Sequence, residues 1–203
     1  MSKLSIVDLS DRQIRNRLFS WYNAASEDQI IRGLSWYTEA QNYTRDIAHR
    51  FNVSPYVVAC VVSCLSPSVK WSRNKTDAFN IIEAFTSGAD PHAVTVCTYG
   101  QNKIKAIKIL KEQAKLLSVS PKTHSFAMNI AKLSRDHVTV DRWHMRACTI
   151  AHNGKHRAVV ESPTAKQYRR VERITAELAH QICIAGFELQ AVIWLVVREG
   201  WKL

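Results

Sequence analysis

Lys122 and Asp141 are the two residues whose types and positions suggest covalent chemistry. In "SPKTHSFAMNIAKLSRDHVTVDRWHMRA", residues 120–147, Ser120 supplies a helix cap and Pro121 a first helical residue. That puts Lys122 in the first turn of a helix predicted to run to about Lys132. Asp141 falls where the next helix, from Arg142, takes its cap. A helix N-terminus carries partial positive charge, so it disfavours an ammonium and welcomes a carboxylate. A lysine so placed suits attack on an electrophilic carbon as a neutral amine, giving a Schiff base. A carboxylate can take its proton or steady positive charge growing on a sugar ring. These roles fit cleavage of an N-glycosidic bond. By residue type alone, an exposed lysine and a capping aspartate explain the same two positions.

The elements that must position this pair read as helices, and strand alternation is nearly absent. Ser10 with Gln13 and Ser26 with Gln29 fit capping boxes, which predicts helices over about 11–24 and 27–51. In "VSPYVVACVVSCLSP", Ser54 and Pro55 open an almost wholly apolar segment, a buried helix whose valines would also suit a strand. From Trp71 to about Ser87, Ala78, Ile81, Ile82 and Phe85 recur at three and four, and Gly88 terminates. "QNKIKAIKILKEQAKLL" places Ile104, Ile107, Leu110, Ala114 and Leu117 on one face, with Lys103, Lys105, Lys108, Lys111 and Lys115 around the rest. After residue 150 come a loop, "AHNGKHRAVVESP", and two further helical segments, "TAKQYRRVERITAELAHQICIAG" and "ELQAVIWLVVRE". The expected fold class is all-α.

Composition sets the partner class. In 203 residues, 28 Lys and Arg against 17 Asp and Glu give a formal charge of +11, which favours a polyanion. Nucleic acid leads and an anionic membrane trails, because no stretch approaches the roughly 20 apolar residues of a spanning helix. "MSKLSIVDLSDRQ" lacks the apolar core of a signal peptide, so the expected location is cytoplasmic. The five cysteines form no CxxC pair and no zinc-like quartet with the eight histidines, so no metal is expected. Cys60 and Cys64 read as buried thiols one helical turn apart.

The stretch 120–147 resembles the core of the helix-hairpin-helix DNA glycosylase superfamily, which includes endonuclease III and oxoguanine glycosylase. That motif is a hairpin ending in a lysine, a helix, a short hydrophobic lead into "VD", and a helix bearing His or Arg. The family's lysine nucleophile falls on Lys122 and its essential aspartate on Asp141, 19 positions apart as in the family; Arg146 matches a position often basic there. Upstream, "VSPYVVACVVSCLSPSVKWSRNKTDAF" is similar to the family's buried helix, DNA-probing loop and following helix, so the resemblance spans about residues 54–150. "LSP", "VTVDRW" and a terminal "QAVIW" also resemble small bacteriophage proteins, which would place the chain in a host cytoplasm.

The resemblance implies a two-lobed fold. Residues 28–135 would form a helical barrel lobe with a degenerate helix-hairpin-helix, and residues 1–27 plus 136–203 the second lobe. Lys122 and Asp141 would stand on opposite walls of the cleft. The hairpin is degenerate because "LLSVSPK" lacks the two glycines that let backbone N–H groups approach a phosphate. The implied function is a DNA glycosylase-like base-excision enzyme that flips out a damaged or modified base and cleaves its N-glycosidic bond, with Schiff-base AP-lyase chemistry at Lys122. The iron–sulfur cysteine quartet of some relatives is missing, so no cofactor is expected. Fold analogy leaves other readings open: an enzyme of hypermodified-base or nucleotide processing, a catalytically silent nucleic-acid-binding phage protein, or a partner-binding helical module.

The candidate nucleic-acid contacts are Ser66, Ser68, Lys70, Trp71, Arg73 and Asn74 in a loop running into a helix, with Ser120, Arg142, Trp143 and Arg146. The loop mixes an aromatic ring for stacking with cations for phosphates; the plainer reading is a solvated loop with Trp71 tucked into the core. Trp143 can line a pocket or simply pack. The lysines from Lys103 to Lys115 read as a solvated face or a phosphate track. In "KQYRRVERI", Tyr168 is placed to pack on a sugar, while Glu172 and Glu177 offer local salt bridges to the arginines.

Overall fold

Capping decides where most of the helices begin. In the computed structural model, which describes residues 5–112, 120–150, 152 and 162–200, Ser10 opens α1 (Asp11–Asn23). Its hydroxyl accepts the Gln13 N–H while the Gln13 side chain accepts the Ser10 N–H. Ser26 and Gln29 do the same for α2 (Glu27–Phe51). Proline stands first in α3 (Pro55–Leu65) and α6 (Pro121–Ile130), where its missing N–H leaves nothing unpaired. Between them run α4 (Trp71–Thr86) and α5 (Gly100–Glu112). The set closes with α7 (Arg142–Thr149), α8 (Ala165–Gln181) and α9 (Gly186–Gly200). A short 3-10 turn spans Ile6–Asp8, and no strand occurs among the described residues, so the protein is all-α.

The chain divides into two compact units, one from Met1–Glu39 with Ser134–Leu203 and the other from Ala40–Leu133. In the first, α1, α7, α8 and α9 pack around Ile14, Leu18, Val171, Ile174, Leu189 and Ile193, all at most marginally exposed. Gly33 of α2 lets α9 approach closely: a Cβ there would lie 2.5 Å from Val192 Cγ2 and 2.7 Å from Val192 Cα.

The second unit is built around α3. Every residue from Val57 to Leu65 is buried, with α4, α5 and α6 packed against it. The valines therefore sit in a helix, as Ser54 and Pro55 direct, and their burial against three neighbours outweighs β-branched helix propensity. Each fully buried Val or Leu is worth about 1.5–3 kcal/mol, against tenths for the propensity. Left-handed residues end two helices of this unit. Asn52 (φ 51°) closes α2 with Val53 N–H returning to the Ala48 carbonyl, and Lys132 (φ 57°) closes α6 with Leu133 N–H returning to Met128. Predicted positions Ala114, Lys115 and Leu117, in the lead to the hairpin, lie outside the described residues, as does most of the loop after residue 150.

Candidate functional site

Lys122 lies in the second unit, exposed in the first turn of α6. Ser120 caps that turn: its hydroxyl accepts the Thr123 N–H at 3.4 Å and lies 2.9 Å from Thr123 Oγ1. The turn is anchored from below, because the buried Ser63 of α3 donates its hydroxyl to the Thr123 carbonyl at 2.5 Å. Ser125, Phe126, Asn129 and Ile130 are buried along the same helix. A rigid apolar core thus fixes the backbone that carries Lys122.

The loop ahead of α4 belongs to the same unit. Ser66 is half-buried and donates to the Ser63 carbonyl, while Ser68 (φ 63°) and Lys70 are exposed. Trp71 is half-buried, edge-on to Tyr43 at 6.1 Å and to Phe126 at 6.5 Å, and Lys75 Nζ stands 5.8 Å from both the Tyr43 and Trp71 rings. Arg73 pairs at 2.7 Å with Asp77, a wholly buried carboxylate whose other oxygen accepts the Cys97 N–H. Asn74 is buried and donates its amide to the Val62 carbonyl. Lys70, Ser68, the open part of Trp71 and the outer part of Arg73 are therefore solvent-facing groups of this segment. Cys60 and Cys64 lie deep in α3, where burial pushes their thiols up to about 12 and about 11.

Asp141 lies in the first unit and caps α7, with Oδ1 accepting the N–H groups of Trp143 and His144 at 2.9 Å each. The residues leading to it are pinned by Tyr168 of α8, whose hydroxyl donates to the Val138 carbonyl at 2.8 Å and accepts the Val140 N–H at 3.1 Å. Tyr168 is only 3% exposed, so the expectation that it packs on a sugar is corrected: both ends of its hydroxyl are spent inside the core. Arg142 is exposed, and Trp143 is half-buried against the core. The Arg146 guanidinium stacks 4.4 Å from the Trp143 ring centroid. Burial lowers the pKa of Arg146, Arg142 adds to this and Asp141 opposes it.

His144, one turn into α7, is fully buried, and Nε2 lies 2.9 Å from Thr175 Oγ1. Burial depresses its pKa to about 3, so the ring is neutral at ordinary pH. Two arginines of α8 are engaged: Arg170 and Arg173 both hold Asp11, and Arg173 and Arg15 hold Glu177, while Arg169 is exposed. A shallow groove of about 700 Å³ runs along α8, lined by Asp136, His137, Arg169, Glu172 and Arg173 among others; neither Lys122 nor Asp141 lines it. Among the described residues no group of three or more His, Cys, Asp or Glu could hold a metal ion.

Sequence reasoning passed over His144, the buried Asp77 and the Thr164–Gln167 capping box that opens α8. Two of these had a local signal: the hydroxyl and amide three residues apart at Thr164 and Gln167, and the i,i+4 spacing of Arg73 and Asp77.

The architecture defines an all-helical protein in which no single described helix is long and apolar enough to cross a membrane. The chain belongs to the family of unknown function DUF7178, whose model matches residues 1–201. No curated protein and no solved structure matches it.

Proposed function

We propose that the protein is a DNA glycosylase-like enzyme on a two-lobed helix-hairpin-helix fold, releasing a damaged or modified base from its sugar. Lys122 supplies the amine nucleophile and Asp141 the carboxylate. The amine attacks C1′ as the base departs with its bonding electrons, and the resulting ammonium loses a proton to a carboxylate; the nitrogen lone pair then expels O4′, which takes up a proton as the C1′–O4′ bond breaks, leaving the ring-opened Schiff base. The base takes up a proton, and water later hydrolyses the Schiff base. The observation that carries this reading is the pair of helix starts. Lys122 stands exposed in a Ser-Pro-capped first turn, and Asp141 is locked by two backbone N–H bonds ahead of a stacked Trp143–Arg146 pair. Ser66, Ser68, Lys70, Trp71, Arg73, Asn74, Ser120, Arg142, Trp143 and Arg146 are the proposed DNA contacts. For Arg73 and Asn74, the bonds to Asp77 and Val62 make that role one of shaping the loop.

The test is borohydride trapping on labelled DNAs carrying abasic, deaminated, oxidised and hydroxymethylated sites, with wild type, Lys122→Ala and Asp141→Asn. Asparagine caps a helix as well as aspartate does, so Asp141→Asn retains the fold. The expected result is an adduct with wild type, none with Lys122→Ala, and trapping slowed about 10²-fold or more in Asp141→Asn. No adduct on any substrate would overturn the lysine mechanism; salt-sensitive DNA binding in that case would favour a silent binding protein.

A further inference from the structure

Residues 91–133 contain seven lysines and a single carboxylate, Glu112, so this stretch holds more than half of the chain's net positive charge. In α5 the cations occupy one side. Ala106, Ile107, Ile109 and Leu110 are buried, and Ile104, Lys105, Lys108 and Lys111 are exposed. Lys105, Lys108 and Lys111 are spaced by three, so they descend obliquely along the helix, about 4.5 Å apart along its axis. Like charges at this spacing repel. Glu112 relieves little of this, lying 3.8 Å from Lys108.

Several arginines are used differently. Arg32 holds Asp28 and Glu199, Arg170 and Arg173 hold Asp11, and Arg73 holds Asp77. These four arginines are held in intramolecular ion pairs, whereas the lysines of α5, compact point charges, stand on its open face. A membrane is the poorer occupant. A helix lying on lipid must offer its apolar face, and that of α5 is already packed on α3.

We propose that Lys105, Lys108 and Lys111 of α5 form a sequence-independent docking surface for the phosphate backbone of a nucleic acid duplex. The surface lies outside the residues assigned to base release and does not depend on Lys122 or Asp141. Lysines without an aromatic or bidentate partner among them contact phosphate and read no base, so affinity should be uniform over sequence and steep in salt.

The experiment is fluorescence anisotropy of a short labelled DNA duplex of arbitrary sequence, titrated at several salt concentrations. The proteins are wild type, the K105Q/K108Q/K111Q triple variant, and a control triple, R12Q/K166Q/R169Q, that removes equal charge from exposed positions of the other unit. Glutamine keeps helix propensity, and circular dichroism checks the fold. The expected result is a loss of roughly tenfold or more at low salt in the α5 triple, with the slope of log K against log[salt] shallower by about 2–3. The control should retain most of the affinity and the slope. Equal losses in both triples, an unchanged slope in the α5 triple, or α5-dependent binding to phosphatidylserine vesicles with none to the duplex would each overturn the proposal. Lys122→Ala should bind the duplex like wild type, so a failed trapping experiment leaves this outcome readable on its own.

Discussion

At the scale of single residues, His144 makes the sharpest prediction. Thr175 gives its one hydroxyl proton to the Val171 carbonyl at 2.8 Å, so the imidazole must donate from Nε2 to Thr175 Oγ1. Nδ1 is then bare, and it has no hydrogen-bond partner. The ring stays neutral in the fold down to about pH 3, whereas an unfolded histidine titrates near 6.5. Between those values the unfolded chain binds more protons than the folded one. Stability from this site is therefore complete above about pH 6.5 and declines as the pH falls, at up to about 1.4 kcal/mol per pH unit. His144→Leu removes the titrating group and leaves Thr175 still bonded to Val171. Urea unfolding from pH 7 to 4 should show wild type losing ground to the variant steadily, and parallel pH profiles would contradict the neutral buried ring. The sequence reveals Lys122 and Asp141 because capping is local: Ser120, Pro121 and the aspartate announce their helices within a few positions. His144 is not legible there, since its partner lies 31 residues away and burial of one face of α7 is settled only by packing.

At the scale of elements, Gly33 governs how closely α2 and α9 approach. Alanine at an ordinary helix interior position would gain about 0.8–1 kcal/mol in propensity over glycine. Here its Cβ would meet Val192 backbone as well as side chain, at 2.7 and 2.5 Å, so the helices must separate, and overpacking costs about 1–3 kcal/mol. The clash should win: Gly33→Ala is expected to lower the urea midpoint. Val192→Ala in the same chain should restore it only in part, because the collision with the backbone of residue 192 persists whatever side chain stands there. A stabilised Gly33→Ala would show that the approach is looser than this. Helix beginnings are readable wherever a hydroxyl or proline marks them, as at Ser10, Ser26, Ser54 and Ser120. Ends are less so. The helix expected to run to Lys132 stops at Ile130, because Lys132 turns left-handed without the glycine that usually announces such a stop. The basic neighbours of Tyr168 suggest a surface position, yet Val171, Ile174 and Leu178 follow it at spacings of three and four and mark the buried face of α8.

For the molecule as a whole, a charge of +11 is legible from composition, while its division is not. Asp11 meets Arg170 and Arg173 across 159 and 162 residues, and Glu199 meets Arg32 across 167, separations no local pattern encodes. These pairings neutralise part of the arginine charge, and the seven lysines of residues 91–133 hold much of the excess, so the protein's stability should itself read out polyanion binding. A duplex that binds only the folded chain, present at about a hundred times Kd, stabilises it by about 2.7 kcal/mol. For a chain of this length that raises Tm by roughly 5–10 °C. If about four phosphates are neutralised, raising salt from roughly 50 to 200 mM weakens binding by about two orders of magnitude. The same duplex concentration then lies near Kd, and the stabilisation falls below about 1 kcal/mol. Differential scanning fluorimetry with and without duplex should show a large shift at low salt that collapses at high salt. K105Q/K108Q/K111Q should begin with a smaller shift and lose less of it. A shift indifferent to salt, or equal in the two proteins, would mean that the α5 lysines contribute nothing to the association and that the excess charge serves only solubility.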